Sequence, residues 1–401
     1  MPLHFLFIDF NSFFSSVEQQ LRPELRGKPV GVVPMMAEST SCIAASYEAK
    51  KFGVKTGTVV KDAKRLCPDI QFVEARHTLY IEYHHRLHEA VESCIPVHSV
   101  HSIDEMACEL TGTQQQPENA KAMAFQIKST IAQNVGAELH CSIGIAPNLY
   151  LSKTATDMQK PDGLVVIDIP DLPECLFKLA LNDLCGIGRK MEQRLHRYDI
   201  RTVKDLWNAD KALLRKAWGG IEGERMYAKL RGDMIYAPPT HRSSVGHSHV
   251  LPPALRTEAS AYAVINRLVQ KAAMRLRNYG YVAGSMHIGV KYLNYVRWSE
   301  EISFDDTQDT VDFLKALAKL WDKKPTIPSF PLAVVVTLFN LSEAEHRTPS
   351  LFDTGTSTAL NKAIDKLNTR YGKNTIYFGG AFSALEAAPT RIAFTHIPDY
   401  K

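Results

Sequence analysis

Cysteine pairs, long apolar runs and a strong net charge are all missing from this chain. Its seven cysteines (Cys42, Cys67, Cys94, Cys108, Cys141, Cys175 and Cys185) stand singly, with no C-x-x-C spacing. An odd, unframed set of thiols suits a reducing cytoplasm and argues against both disulfides and a zinc site. No stretch reaches the ~18 apolar residues of a membrane helix. The first residues carry neither a basic n-region nor a cleavage site, so export and membrane insertion are not expected. The net charge is only +4, which permits nucleic-acid binding without demanding it. Fifteen histidines invite a metal reading around His84, His85 and His88, but polar surface on the helix HTLYIEYHHRLHEAVESC explains them. What is present is a globular composition, 45% apolar and 22% charged over 401 residues. That length is too great for one ordinary core, and two to four domains are expected.

The chain opens MPLHFLFIDFNSFFSSVEQQ, in which residues 3–8 read as a buried strand ending at Asp9, with Phe13 and Phe14 just beyond. NSFFSSVEQQLRPEL reads as a helix with Asn11 near its N-cap. KPVGVVPM and SCIAAS read as short strands, and YEAKKFGV starts a helix that Gly53 ends. SVHSIDEMACELTG is a strand pair or one long strand, ENAKAMAFQIKSTIAQNVG an amphipathic helix, and LHCSIGIAP and GLVVID further strands. The order suggests a β-α-β-β-α-β sheet with helices on one face and a small insertion between Asp9 and about residue 75. Residues 170–232 read as helical and basic, and YAPPTHRSS as a linker. Residues 243–341 repeat the β-α-β-β-α-β order, with no sequence repeat. RTPSLFD and a final segment of unassigned role, LNKAIDKLNTRYGKNTIYFGG, follow.

An acid at the tip of an apolar strand is costly to desolvate unless something pairs with it. Asp9 has company: Asp104 and Glu105 stand in the middle strand block, which neighbours the first strand in such a sheet. Three clustered carboxylates repel one another unless cations neutralise them. Oxygen ligands without His or Cys select hard ions, Mg2+ first, and a pair of such ions activates a 3′-hydroxyl and stabilises a pyrophosphate leaving group. Strand neighbours point to opposite faces, so Asp104 and Glu105 share a site only where the strand bends. Tyr47 with Lys50, and Lys160 in LSKTATDMQKPDG, are candidates for holding a triphosphate.

Taken together, IDFNSFFSSVE, SYEAKKFGVKTG, SIDE and LSKTATDMQKPDGL resemble, in order and spacing, the motifs of the Y-family, or translesion, DNA polymerases. The resemblance covers residues 1 to about 340. It implies an α+β right-hand fold: a β-α-β-β-α-β palm (1–10 and 76–168), small fingers (11–75), a helical thumb (169–232), a linker (233–242), a β-α-β-β-α-β little finger (243–342) and a tail (343–401). Asp9, Asp104 and Glu105 match the family's catalytic, metal-binding acids, and the backbone carbonyl of Phe10 matches a further metal ligand. Tyr47, Lys50 and Lys160 match its triphosphate contacts. Phe14 matches the steric gate against ribonucleotides, and Phe13 belongs to the same nucleotide-pocket segment with its ring expected in the core. Asn11 stands where many members have a second aspartate, Lys50 where many have arginine, and Ala44 where many have a small hydroxyl residue. The first two also occur in the UmuC-like, SOS-mutagenesis branch.

LCGIGRKMEQRL has the form of a helix-hairpin-helix, whose Gly186, Ile187 and Gly188 would hold DNA phosphate without reading sequence; a plain helix-turn-helix is the alternative. Arg267, Lys271 and Arg275 form a stripe expected to be a solvated face. Lys291 and Arg297 are the better DNA candidates if the sheet faces DNA, as in the family. Ser350-Leu351-Phe352 resembles a sliding-clamp-binding peptide, although Thr348 replaces the usual glutamine and a loop packed on its own domain fits as well. The expectation is a cytoplasmic, monomeric DNA-directed DNA polymerase acting on primer-template DNA and dNTP with two Mg2+ ions. It would copy damaged template at low fidelity without proofreading, and a bacterial sliding clamp is its expected partner. The rivals are a catalytically silent adaptor, which would be expected to have lost acids, and a nucleotidyl cyclase, which would lack the GIG hairpin and the second sheet.

Overall fold

The computed structural model describes residues 2–236, 241–346, 356–372 and 374–387. The chain divides into two compact units at residues 237–238. The first unit begins with β1 (Phe5–Phe10), α1 (Phe13–Leu21), β2 (Val30–Val33), β3 (Ala44–Ala45), α2 (Tyr47–Lys50), α3 (Val60–Leu66) and β4 (Gln71–Glu74). It continues through α4 (His77–Glu92), β5 (Val97–Ser102), β6 (Glu105–Glu109), α5 (Pro117–Asn134), β7 (Cys141–Ala146), α6 (Leu149–Met158) and β8 (Leu164–Val166). Four short helices complete it: α7 (Arg189–His196), α8 (Val203–Asn208), α9 (Lys211–Trp218) and α10 (Glu222–Leu230).

The main sheet has the order β5-β6-β1-β7-β8, which puts β1 at its centre. Because alternate strand residues face opposite ways, Leu6, Ile8 and Phe10 of β1 share one core with Tyr80 and Leu87 of α4 and Ala124 and Ile127 of α5. The opposite face is also covered, which differs from the expectation of helices on one face only. There α6 lies against β7 so closely that a Cβ at Gly144 would stand 2.1 Å from the Ser152 carbonyl oxygen. Ala146 joins Leu151 and Ala155 of α6 in a second core, shared with the helices α7–α10. A small sheet of order β3-β2-β4 forms the insertion and packs its own core of Cys42, Ala49, Val54, Val60 and Ala63.

The second unit contains β9 (Ser244–Val250), α11 (Glu258–Asn278), β10 (Tyr281–Tyr292), β11 (Arg297–Thr307), α12 (Thr310–Trp321), β12 (Pro331–Glu343) and α13 (Thr356–Tyr371). Its antiparallel sheet, β11-β10-β12-β9, has the element order read from the sequence. Met286, Ile288, Val290, Val336 and Leu338 face α11 and α12. The final segment, which the sequence left without a role, folds onto this unit. Arg277 holds Asp365 with two hydrogen bonds of 2.6 and 2.9 Å, and Asn361 donates to Asp309 at 2.9 Å.

This covering segment corrects the reading of the basic stripe. Arg267 is buried, with Nε donating to the Ala387 carbonyl at 2.6 Å and Nη1 to Asn374. It is an anchor for the C-terminal segment rather than part of a solvated face. His84 is likewise buried, and not polar surface: its Nδ1 lies 2.8 Å from the Ile103 carbonyl. Leu351 and Phe352 lie outside the described residues.

Candidate active site

Asp9 and Glu105 stand directly opposite each other in the antiparallel pairing of β1 with β6. The bend that Asp104 and Glu105 require is a hairpin. Ser102 ends β5, Glu105 begins β6 as its cross-strand partner, and Ile103-Asp104 form the turn between them. Three bonds fix that turn: the Asp104 carbonyl accepts the Phe10 N–H at 2.8 Å, Ser102 Oγ donates to the Asp104 carboxylate at 2.6 Å, and His84 holds the Ile103 carbonyl.

Two lysines converge on the acids. Lys153 Nζ lies 2.7 Å from Asp9 Oδ2, 2.7 Å from Glu105 Oε1 and 3.6 Å from Asp157. Lys160 Nζ lies 2.8 Å from Asp9 Oδ1 and 2.8 Å from Asp157. Burial pushes the Asp9 carboxyl up, but the ammonium groups of Lys153 and Lys160 outweigh it and hold the pKa below the ordinary value. Asp104 moves the other way, raised by burial and by repulsion from Asp9 and Glu105 against the lowering effect of Ser102. Burial lowers Lys50, as does the neighbouring Lys160, while Asp9 and Asp104 oppose them; its ammonium sits 4.2 Å from the Tyr47 ring centre. Tyr47, Lys50 and Lys160 are therefore all within electrostatic reach of Asp9.

Among the described residues, no three His, Cys, Asp or Glu side chains are already arranged around a common metal position. Asp9 and Glu105 turn to Lys153, and Asp104 to Ser102. The donor set nonetheless fits a hard cation. Every donor is an oxygen, and the Lys153 ammonium, a positive charge bonded to acids from two strands, shows that the position accepts one.

Phe14 and Phe13 part company as expected. The Phe13 ring is buried in the core beside Phe10. Phe14 is half-buried and stacks on Tyr80, with centroids 4.4 Å apart and planes at 15°. Sequence reasoning missed what stands behind that stack: Tyr80 donates to the fully buried Glu18 at 2.8 Å, and Arg76 Nε donates to the same carboxylate at 3.0 Å. It also missed Lys153. The helical spacing of Lys153, Asp157 and Lys160 on one face was the available signal.

The hairpin after residue 180 has Gly186 at φ +84°, a conformation that favours glycine, and Gly188 as the N-cap of α7. Ile187 between them has a buried side chain, and its N–H is bonded to the Leu184 carbonyl at 3.0 Å. Asn11 stands next to the N-cap, as expected; Ser12 occupies that position at φ 49° with no side-chain capping bond. The Asn11 amide instead turns inward, donating to Ser142 Oγ at 3.1 Å and accepting the Asp162 N–H at 2.7 Å. In the second unit, Lys291 of β10 and Arg297 of β11 are cross-strand partners.

Residues 8–157 match the impB/mucB/samB family, 242–351 its C-terminal domain, and 182–233 the thumb domain of DNA polymerase iota. The chain is 34% identical over 382 residues to a DNA polymerase IV of Moorella thermoacetica, covering 93% of this chain and 94% of that protein. A DNA polymerase IV of Pelotomaculum thermopropionicum is 31% identical over 379 residues, covering 92% and 93%. Among solved structures, a Y-family chimera of Dbh and Dpo4 superposes with a TM-score of 0.70 at 24% identity, covering 84% of this chain and 98% of that one. DinB from Sulfolobus solfataricus gives 0.53 at 25% identity, with the same coverage. The fold is that of the Y-family polymerase structures. The chain belongs to the Y family of DNA polymerases, and it is a DNA-directed DNA polymerase of the translesion type.

Proposed function

We propose that Asp9, Asp104, Glu105 and the Phe10 carbonyl hold two Mg2+ ions for nucleotidyl transfer from dNTP to a primer 3′-hydroxyl. The observation that carries this is the opposition of Asp9 and Glu105 across β1–β6, with Asp104 on the adjoining turn. When bound, the ions supply the charge that acidifies the 3′-hydroxyl and neutralises the pyrophosphate leaving group. The chain's own residues do the rest. Lys160, Lys50 and Tyr47, all near Asp9, bind the triphosphate as point charges and a hydroxyl. Phe14, backed by Tyr80, lies against the sugar and excludes a 2′-hydroxyl.

The domain assignment follows: a palm around β1, β6 and β7, fingers around β2–β4, a thumb of α7–α10 and a little finger from β9 to β12. The N–H groups of Gly186 and Gly188 contact duplex phosphate without reading bases. Lys291 and Arg297 contribute a second cationic contact, and Leu351-Phe352 dock a bacterial sliding clamp. We read the enzyme as a cytoplasmic monomer; no helix among the described residues is long and apolar enough to cross a membrane.

Primer extension on undamaged and lesion-bearing templates tests the reading. Asp104→Ala should abolish incorporation while duplex binding survives, because phosphate contacts elsewhere hold the DNA. Near-normal extension by that variant would overturn the assignment of the acids.

A further inference from the structure

Lys153 has no place in the triphosphate grip, yet it makes the tightest set of contacts in the site. Its ammonium is 2.7 Å from one oxygen of Asp9 and 2.7 Å from one oxygen of Glu105. Lys160 takes the other Asp9 oxygen at 2.8 Å, so both oxygens of the buried carboxylate are bonded to ammonium groups. Like charges set directly opposite on paired strands repel, and a cation between Asp9 and Glu105 relieves that repulsion at the end of the β1–β6 pairing. Lys153 is delivered there rigidly. Its helix α6 rests on the bare backbone of Gly144, and its ammonium lies 5.4 Å from the centre of the Phe7 ring, two residues before Asp9.

We propose that Lys153 is a resident counter-ion: it holds Asp9 and Glu105 together before metal arrives and yields both carboxylates to the metal. This makes it a positioning residue, and the proposal rests on the metal-binding reading of the acids. A divalent ion cannot use Asp9 Oδ2 and Glu105 Oε1 while an ammonium is bonded to both. Lys153 has somewhere to go, since Asp157 lies one helical turn further along α6 and only 3.6 Å away. Asp157 also bonds Lys160 at 2.8 Å. One carboxylate outside the metal set thus stands ready for the cation that the metal displaces. The oxygens of Asp9 and Asp104 are engaged by Lys153, Lys160 and Ser102.

The test measures Mn2+ binding to the full chain without DNA or nucleotide, by counting free ion spectroscopically, together with thermal unfolding in EDTA and in Mn2+. Lys153→Met keeps the stem over Phe7 but removes the competitor. It should melt lower in EDTA, bind Mn2+ about tenfold more tightly, equivalent to about 1.4 kcal/mol, and gain more from the ion than the parent does. Lys153→Arg, which keeps the charge and forks onto carboxylates, should bind the ion more weakly and remains testable if the methionine variant fails to fold. Lys50→Met removes one nearby positive charge without freeing an oxygen of Asp9 or Glu105. If it tightens Mn2+ binding as much as Lys153→Met, or if Lys153→Met binds no tighter than the parent, the counter-ion role is refuted. Asp9→Asn separates the two readings. Binding that it weakens while Lys153→Met leaves affinity unchanged defeats the counter-ion alone; binding that Asp9→Asn leaves untouched defeats the metal site, and the counter-ion with it.

Discussion

Replacing Phe14 by alanine should open the enzyme to ribonucleotides while deoxynucleotide incorporation changes little. A steric wall discriminates by repulsion, felt only by the ligand that carries the extra oxygen, so its strength depends on how little it can yield. Phe14 cannot retreat. Its ring is stacked 4.4 Å from Tyr80, and the Tyr80 hydroxyl is tied to the buried Glu18 carboxylate at 2.8 Å. Aromatic stacking of this kind contributes about 0.5–1.5 kcal/mol, and a 2′-hydroxyl pressed against such a ring also loses its solvent hydrogen bonds, at about 1–3 kcal/mol. Removing the wall should therefore return about 3 kcal/mol to the ribonucleotide, roughly a hundredfold in relative kcat/KM. Phe13→Ala is the matched control. That ring is buried in the core under the main sheet, so its loss should lower stability by about 3–5 kcal/mol without altering sugar choice. Single-nucleotide insertion kinetics with paired dNTP and rNTP decide the matter. Unchanged discrimination in Phe14→Ala, or loss of discrimination in Phe13→Ala, would refute the placement of the gate.

Removing Glu18 as Glu18→Ala leaves the buried Tyr80 hydroxyl and the partly exposed Arg76 without their partner; it should destabilise the chain by about 1–3 kcal/mol in urea denaturation and also loosen sugar discrimination. Burial, partly offset by the Ile103 carbonyl, lowers His84 from 6.5 to about 4. The unfolded chain therefore binds more protons between those values, and stability falls as pH drops through that window. Between about pH 8 and about pH 5.5 His84 alone should remove about 1.4 kcal/mol, and denaturation of His84→Gln should lack that part of the pH dependence. Changing Leu351 and Phe352 to alanine should leave distributive synthesis intact and remove stimulation by a bacterial sliding clamp; unchanged clamp pull-down would assign that peptide to packing instead.

The fold was legible wherever periodicity carried it. Unbroken apolar residues announced β1, and the alternation of β10 and β12 with the helical patterns of α11 and α12 gave the second unit its element order. The opposed acids were legible because carboxylates inside apolar strands demand a partner. Charged residues whose partners come from far along the chain were not. Arg267 is covered by Asn374 and Ala387, more than a hundred residues downstream, and Glu18 is answered by Arg76 of another element. Nothing in a local window distinguishes such a residue from one on a solvated face. Lys153 differs, since its spacing from Asp157 was a local signal, but the acids it bonds, Asp9 and Glu105, come from far along the chain.

These hidden residues are also the ones that set the geometry of the site. His84 fixes the carbonyl next to Asp104 and so the turn that lifts an acid off the strand. Asn11 bonds Ser142, the cross-strand partner of Asp9, and also the N–H of Asp162, two residues beyond Lys160. An aspartate could accept both bonds but donate neither, so an amide here can bridge two groups of different polarity. That is a physical reason for an amide rather than an acid at this position. It removes one negative charge from a crowded cluster, and it ties the loop that carries Lys160 to the strand that carries Asp9. Lys160 and Asp9 are thereby held near one another by a buried amide as well as by their own ion pair.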